Sequence, residues 1–202
     1  MTNNNIVKVA LTGGPCAGKS SAMEYLTEKL NGMGINVVVA PEAATQIINE
    51  GVVPGTLSFQ KIVFERQLAL EDAANQEAAN NNNTTVVLYD RALYNQLAYI
   101  SELDFDSFLK EFNVENVDKR YDGVIHLVSA SVGTNAYTTA NNAARLESLE
   151  EAQIMEKKTR FASSHYDGTV VIDNSTNFEG KLERVLDSVL NIINRKEVNK
   201  AS

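Results

Sequence analysis

The chain has 202 residues, 44% of them hydrophobic and 22% charged, enough to bury a sizeable core in one domain. Its net charge of −8, with no local basic cluster, excludes DNA and RNA as expected partners, because non-specific nucleic-acid binding rests on Lys and Arg neutralising phosphates. The one cysteine excludes an intramolecular disulfide framework, and neither a signal peptide nor a run long enough to span a membrane is legible, so a soluble, cytoplasmic protein is expected.

Met1–Asn5 reads as a loose tail. Ile6–Thr12 (IVKVALT) is β-rich and mostly apolar, as a strand buried on both faces would be. Next comes Gly13-Gly14-Pro15-Cys16-Ala17-Gly18-Lys19-Ser20-Ser21. Met23, Leu26, Leu30 and Met33 then fall at helical spacing, and Gly32 and Gly34 stop the helix. Ile35–Ala40 is a second buried strand, followed by a short helix over Glu42–Glu50. Leu57–Ala79 is helical, with Phe59, Ile62, Val63 and Leu70 on one face. Thr85–Tyr89 is a third strand running into Asp90-Arg91, and Leu93, Leu97 and Ile100 continue as a helix. A short helix carrying Phe105, Phe108, Leu109 and Phe112 precedes a fourth strand, Val124–Val128. Ser129–Ala143 has no core pattern, and a charged helical stretch runs from Ala144 to about Phe161. Thr169–Ile172 is a fifth strand, and the last helix carries Phe178, Leu182, Val185, Leu186, Val189 and Ile193. Short apolar strands alternating with helices predict an α/β fold with a parallel sheet. One domain over residues 1–202 is expected, with a mobile lid segment at about 129–161.

The pattern Gly13-x-x-x-x-Gly18-Lys19-Ser20 matches the P-loop in full, between a buried strand and an amphipathic helix as that motif requires. Glycines let successive N–H groups turn inward on a phosphate, and the following helix adds its N-terminal dipole. Lys19 is expected to reach the β- and γ-phosphates and Ser20 to ligate Mg²⁺, so the cofactors expected are ATP or GTP with Mg²⁺. Cys16 reads as a small space-filling residue of that loop.

A P-loop site needs a second acid near the metal, at the end of a buried strand. Asp90 fits, though the same residue would also suit a helix N-cap. Arg91 stands where a guanidinium reaches the ligand crevice or, alternatively, makes a surface ion pair. Glu42 follows the second strand and suits an acceptor hydroxyl, or simply faces water from a first helical turn. Arg145 and Arg160 are the lid cations on offer, against the reading of a solvated charged helix. His126 reads as a packed core residue. Asn174 follows the fifth strand, where a loop can flank a base.

Five segments together resemble the NadR and TRPL-translocation-defect AAA-type domain family of P-loop proteins. They are VALTGGPCAGKS, VVVAPEAATQII, VVLYDRALYNQLAYI, ARLESLEEA and VVIDNSTNFEGKLERVL, in order over about Ile6–Ile193. Pro-Glu-Ala-Ala after the second strand and Asp-Arg after the third are the most telling. The resemblance implies a three-layer α-β-α P-loop NTPase fold, with a five-stranded parallel sheet and a helical lid. It also implies a nucleoside- or nucleotide-kinase branch, in which Glu42 matches the acceptor-side acid, Asp90-Arg91 the Asp-Arg of that branch and Arg145 the arginine at the start of the lid-to-helix segment. Translocation-defect relatives continue into a further C-terminal domain, whereas this chain stops at Ser202.

Two functions stand open. One is a small-molecule kinase with a nucleoside- or nucleotide-like acceptor. The other is a nucleotide-dependent switch or trafficking NTPase with a protein or lipid partner. Neither the Asp-x-x-Gly nor the Asn/Thr-Lys-x-Asp signature of typical GTPases occurs, which favours the kinase.

Overall fold

The computed structural model describes residues 6–133 and 148–201, the side chains of the last two aside. Five strands form one parallel sheet: β1 (Ile6–Thr12), β2 (Asn36–Ala40), β3 (Thr85–Asp90), β4 (Gly123–Leu127) and β5 (Val170–Ile172). Their order is β2-β3-β1-β4-β5, so the strand that feeds the glycine loop lies at the centre. All four pairings are parallel, in registers such as Ala10↔Tyr89 and Leu11↔Ile125.

Side-chain alternation divides the core between two faces. Val7, Val9 and Leu11, with Val86, Leu88, Ile125 and Leu127, pack under α1 (Lys19–Gly32) and α6 (Phe178–Ala201). Ala10, Val87, Tyr89 and Val124 face the other way, with Phe64 of α3 (Leu57–Ala79), Leu93 of the 3₁₀ helix Leu93–Ala98, and Phe105 and Phe108 of α4 (Glu102–Glu111). Strands covered on both faces are what the continuous apolar runs called for. Between β2 and α3 lies the short helix α2 (Ala43–Asn49). The stretch after β4 re-enters the described residues as α5 (Leu149–Ser163), opened by a capping box between Ser148 and Glu151.

The three-layer α-β-α arrangement and the parallel sheet are those expected, and α3 has the predicted bounds. Several side chains differ. Met33 is the exposed C-cap of α1, and Ile62 is 39% exposed. The buried face of α3 instead runs Phe59, Val63, Phe64, Gln67, Glu71, Ala74, Ala78 and includes an ionised-type residue. Glu71 is held there by Arg120 and by the Tyr121 hydroxyl, which satisfy its carboxylate. The segment at Leu93 is a single 3₁₀ helix rather than an α-helix. Phe178, expected in the core, is 51% exposed.

Candidate functional site

The glycine loop joins the carboxyl end of the central strand to α1, which starts at Lys19. Gly13 has φ +147°, and a side chain there would run into the Leu127 carbonyl, so β1 and β4 approach each other only because this position is bare. Cys16 adopts φ +56° and Gly18 φ +88°, the alternating left-handed turns that curl a backbone into an anion-binding nest. The ring of Phe178 lies against Gly18, where a Cβ would fall 2.7 Å from its Cε2.

Two buried ionisable side chains hold the outside of this loop. Glu156 of α5 accepts from the N–H groups of Gly14 and Ser129, each at 3.1 Å, through one oxygen. Its other oxygen sits 2.9 Å from Nε2 of the fully buried His126, whose Nδ1 is 3.0 Å from Thr12 Oγ1. Burial works against the Glu156 charge, but His126 and the two backbone donors outweigh it and keep the carboxyl below its usual range. Lys181 of α6 donates from Nζ to the carbonyls of Val128 (2.6 Å) and Ala17 (3.2 Å) and to Asn174 Oδ1 (2.9 Å). Ser129 also donates its hydroxyl to the Pro15 carbonyl.

Three of the sequence-derived candidates come together beside the loop. Ser20, Glu42 and Asp90 line one groove of about 540 Å³ with Met23 and Glu24. Asp90 ends β3; its Oδ1 is buried and, among the described residues, lacks a hydrogen-bond partner. Burial, aided by the Glu42 charge and opposed by Lys19 and Arg91, raises its carboxyl above the usual range. An orphaned buried carboxylate oxygen beside a serine hydroxyl is a donor set suited to Mg²⁺, which takes one or two protein ligands and completes its shell with phosphate oxygens and water. Among the described residues no group of three or more His, Cys, Asp or Glu is placed to hold a metal.

Glu42 is the N-cap of α2 and Arg91 the first residue past β3. Their side chains meet with Nε 2.5 Å from Oε1, tying the ends of β2 and β3 together. Burial disfavours the Glu42 charge, but Arg91, Lys19 and a hydrogen bond from Thr45 overcome it and hold the carboxyl down to about 2. Arg91 sits at φ +85°, a costly conformation for a residue with a Cβ, while its N–H continues the ladder to the Leu11 carbonyl at 3.0 Å. Burial opposes its charge too, yet the neighbouring Tyr99 and Glu42 raise its pKa above the ordinary arginine value. The strained turn places the Arg91 guanidinium against Glu42 at the carboxyl end of the sheet.

Asn174 lies beside the loop, but its amide is engaged at both ends: Nδ2 donates to the carbonyls of Ser129 and Val132, each at 2.9 Å, and Oδ1 accepts from Lys181. Arg145 lies outside the described residues. Arg160 is an exposed residue in the last turn of α5. Sequence reasoning missed Glu156, Lys181 and the tie through His126. The one available signal was the recurrence of Ala152, Glu156, Thr159 and Ser163 on a single helical face, all buried here.

Among the described residues no helix is long and apolar enough to cross a membrane. A search of curated proteins finds no match to this chain. The family model for an AAA domain matches residues 8–181, from the central strand through the glycine loop to Lys181. Nucleotide binding with phosphoryl transfer or hydrolysis is the activity such a P-loop domain carries. With most of its length matched and the parallel sheet behind it, this chain belongs to the AAA domain family.

Proposed function

We propose that this protein is a Mg²⁺-dependent small-molecule kinase, which transfers the γ-phosphoryl group of ATP or GTP to a nucleoside- or nucleotide-like acceptor. The observation that carries this reading is the Glu42–Arg91 pair, fixed at the sheet's carboxyl edge within electrostatic reach of Lys19. Hydrolysis needs only a positioned water. A fixed carboxylate beside a fixed guanidinium suits a larger nucleophile, with a hydroxyl to orient and a polar or anionic group to grip.

The roles follow from the charges. The loop Gly13, Gly14, Pro15, Cys16, Ala17 and Gly18 wraps the phosphates, Gly14 and Pro15 by shape alone, since the Gly14 N–H is given to Glu156 and proline has none, with Ser20 and Ser21 at the start of α1. Lys19 offsets negative charge on the transferred group. Glu42, held down to about 2, is far too weak a base to take a proton near neutrality. It orients the acceptor by accepting a hydrogen bond from its hydroxyl, which suffices for a loose transition state. Arg91 holds Glu42 in place at the edge of the groove. Ser20 and Asp90 are the residues that would hold Mg²⁺, which when bound supplies charge neutralisation on the β- and γ-phosphates. Arg145, at the start of the segment leading to α5, is the cation proposed to close over the reacting phosphates. Asn174 serves by shaping the wall beside the loop, because its own amide is committed.

The test is acceptor-dependent turnover in Glu42→Gln and Arg91→Ala variants. A kinase loses acceptor phosphorylation in both while retaining nucleotide affinity. Equal loss of an acceptor-independent hydrolysis, with no phosphorylated acceptor in the wild type, would favour a switch NTPase with a protein or lipid partner.

A further inference from the structure

Lys181 is 4% exposed, a degree of burial lysine almost never reaches unless it is paired. Its partners are three oxygens from three separate places: Ala17 in the glycine loop, Val128 past the end of β4, and Asn174 past β5. Three acceptors match the three protons of an ammonium group, and a neutral amine would leave one acceptor unserved. The charged groups acting on it are Glu156 from α5, Arg184 one turn further along α6, and Asp173 from the turn after β5. Burial is the largest influence and pulls the Lys181 pKa down to about 8; Arg184 adds to this, while Glu156 and Asp173 oppose it.

The Ala17 carbonyl belongs to the peptide that ends in the Gly18 N–H, at the point where the loop becomes α1. A cation on that carbonyl polarises the peptide, making its N–H a stronger donor to an anion on the loop's inner side. We infer that Lys181 is a positioning residue of the phosphate site: a second cation, behind the loop, whose protonated form shapes and charges the nest that receives a nucleotide's polyphosphate. The inference rests on the reading that the glycine loop binds nucleotide.

A consequence separates this role from simple packing. A bound polyanion favours the ammonium form, so binding raises the Lys181 pKa. Affinity is therefore highest below about pH 8 and falls as pH rises through the pKa of the nucleotide-free protein. Near pH 8.5, where a large fraction of nucleotide-free molecules lacks this proton, binding takes up part of a proton.

The experiment is calorimetric titration of the full chain with MgATP and with MgGTP, from about pH 7 to about pH 9.5, in buffers of different ionisation enthalpy. The wild type should show proton uptake at the alkaline end and a Kd that weakens by up to about tenfold for each unit by which binding shifts the Lys181 pKa. Lys181→Arg should bind at neutral pH but lose both the uptake and the slope, because arginine keeps its proton throughout this range. Lys181→Met should lose affinity at neutral pH and show no uptake. A wild type with flat affinity and no uptake overturns the inference, as does a Lys181→Arg protein that keeps the wild-type slope. If the Met variant fails to fold by circular dichroism, the wild type and the Arg variant decide the matter. Binding without proton linkage sinks the role of Lys181 only, whereas no binding of either nucleotide at any pH sinks the nucleotide reading and this inference together.

Discussion

Glu156 accepts the N–H of Gly14 at 3.1 Å, so α5 is bonded directly to the loop expected to hold phosphate. The same oxygen takes the Ser129 N–H, and the carboxylate's other oxygen meets His126. Movement of α5 thus cannot leave the loop unaffected. Truncation to alanine strands two backbone donors and a buried histidine. Glu156→Ala should therefore destabilise the fold by about 3–5 kcal/mol, the range for removing one partner of a buried pair. Urea denaturation checks this. Glu156→Gln, which keeps an accepting oxygen, should lose less than half as much, and equal losses would mean that the charge rather than the hydrogen bonding matters.

The Glu42–Arg91 pair has a pH signature. The folded-state pKa of Glu42 is depressed to about 2 from an ordinary 4.5. Its contribution to stability is then fully present above about pH 4.5 and is lost as pH falls toward 2. Acid titration of wild type against Glu42→Gln should show the wild type losing its advantage in that window and none between neutrality and pH 5. Parallel curves throughout would place Glu42 outside any stabilising pair.

Asp90 should behave in the opposite sense. Its carboxyl is raised by burial, so its charge at neutral pH weakens the fold. Asp90→Asn should leave the melting temperature unchanged or raise it by about 2–4 °C, while abolishing the gain in nucleotide affinity that Mg²⁺ provides. Thermal melts and nucleotide titrations with and without Mg²⁺ test the two halves separately. A destabilised variant with intact Mg²⁺ dependence would make Asp90 structural.

How much of this was legible from residues alone depended on whether the pattern was local. The glycine loop was, because its chemistry is written in eight consecutive residues, and the bounds of α3 were, because a long apolar period fixes them. The strand order was not, since periodicity carries no pairing information. The resemblance supplied the fold, and the order β2-β3-β1-β4-β5 shows how β1 comes to lie at its centre. The loop's supports were hidden for another reason. Glu156 sits in a stretch whose alternative reading is a solvated charged helix, and Lys181 in a helix read only through its apolar positions; only the three-dimensional fold brings backbone donors and acceptors around them. Phe178 failed in the reverse direction: an apolar residue at helical spacing lies half exposed against Gly18. The convergence of Glu42 and Arg91, 49 residues apart, was suggested by their places at strand ends, but their direct pairing was not.

Phosphoryl transfer to a small acceptor leaves a product of defined mass. It is tested most directly by incubating the protein with MgATP or MgGTP and a panel of nucleosides and nucleotides, following nucleoside diphosphate release and the mass of the product, with Lys19→Ala as control. One acceptor should raise release far above the rate in water and gain one phosphoryl group, and Lys19→Ala should abolish both. Nucleotide binding with a slow hydrolysis that no acceptor alters would contradict such transfer.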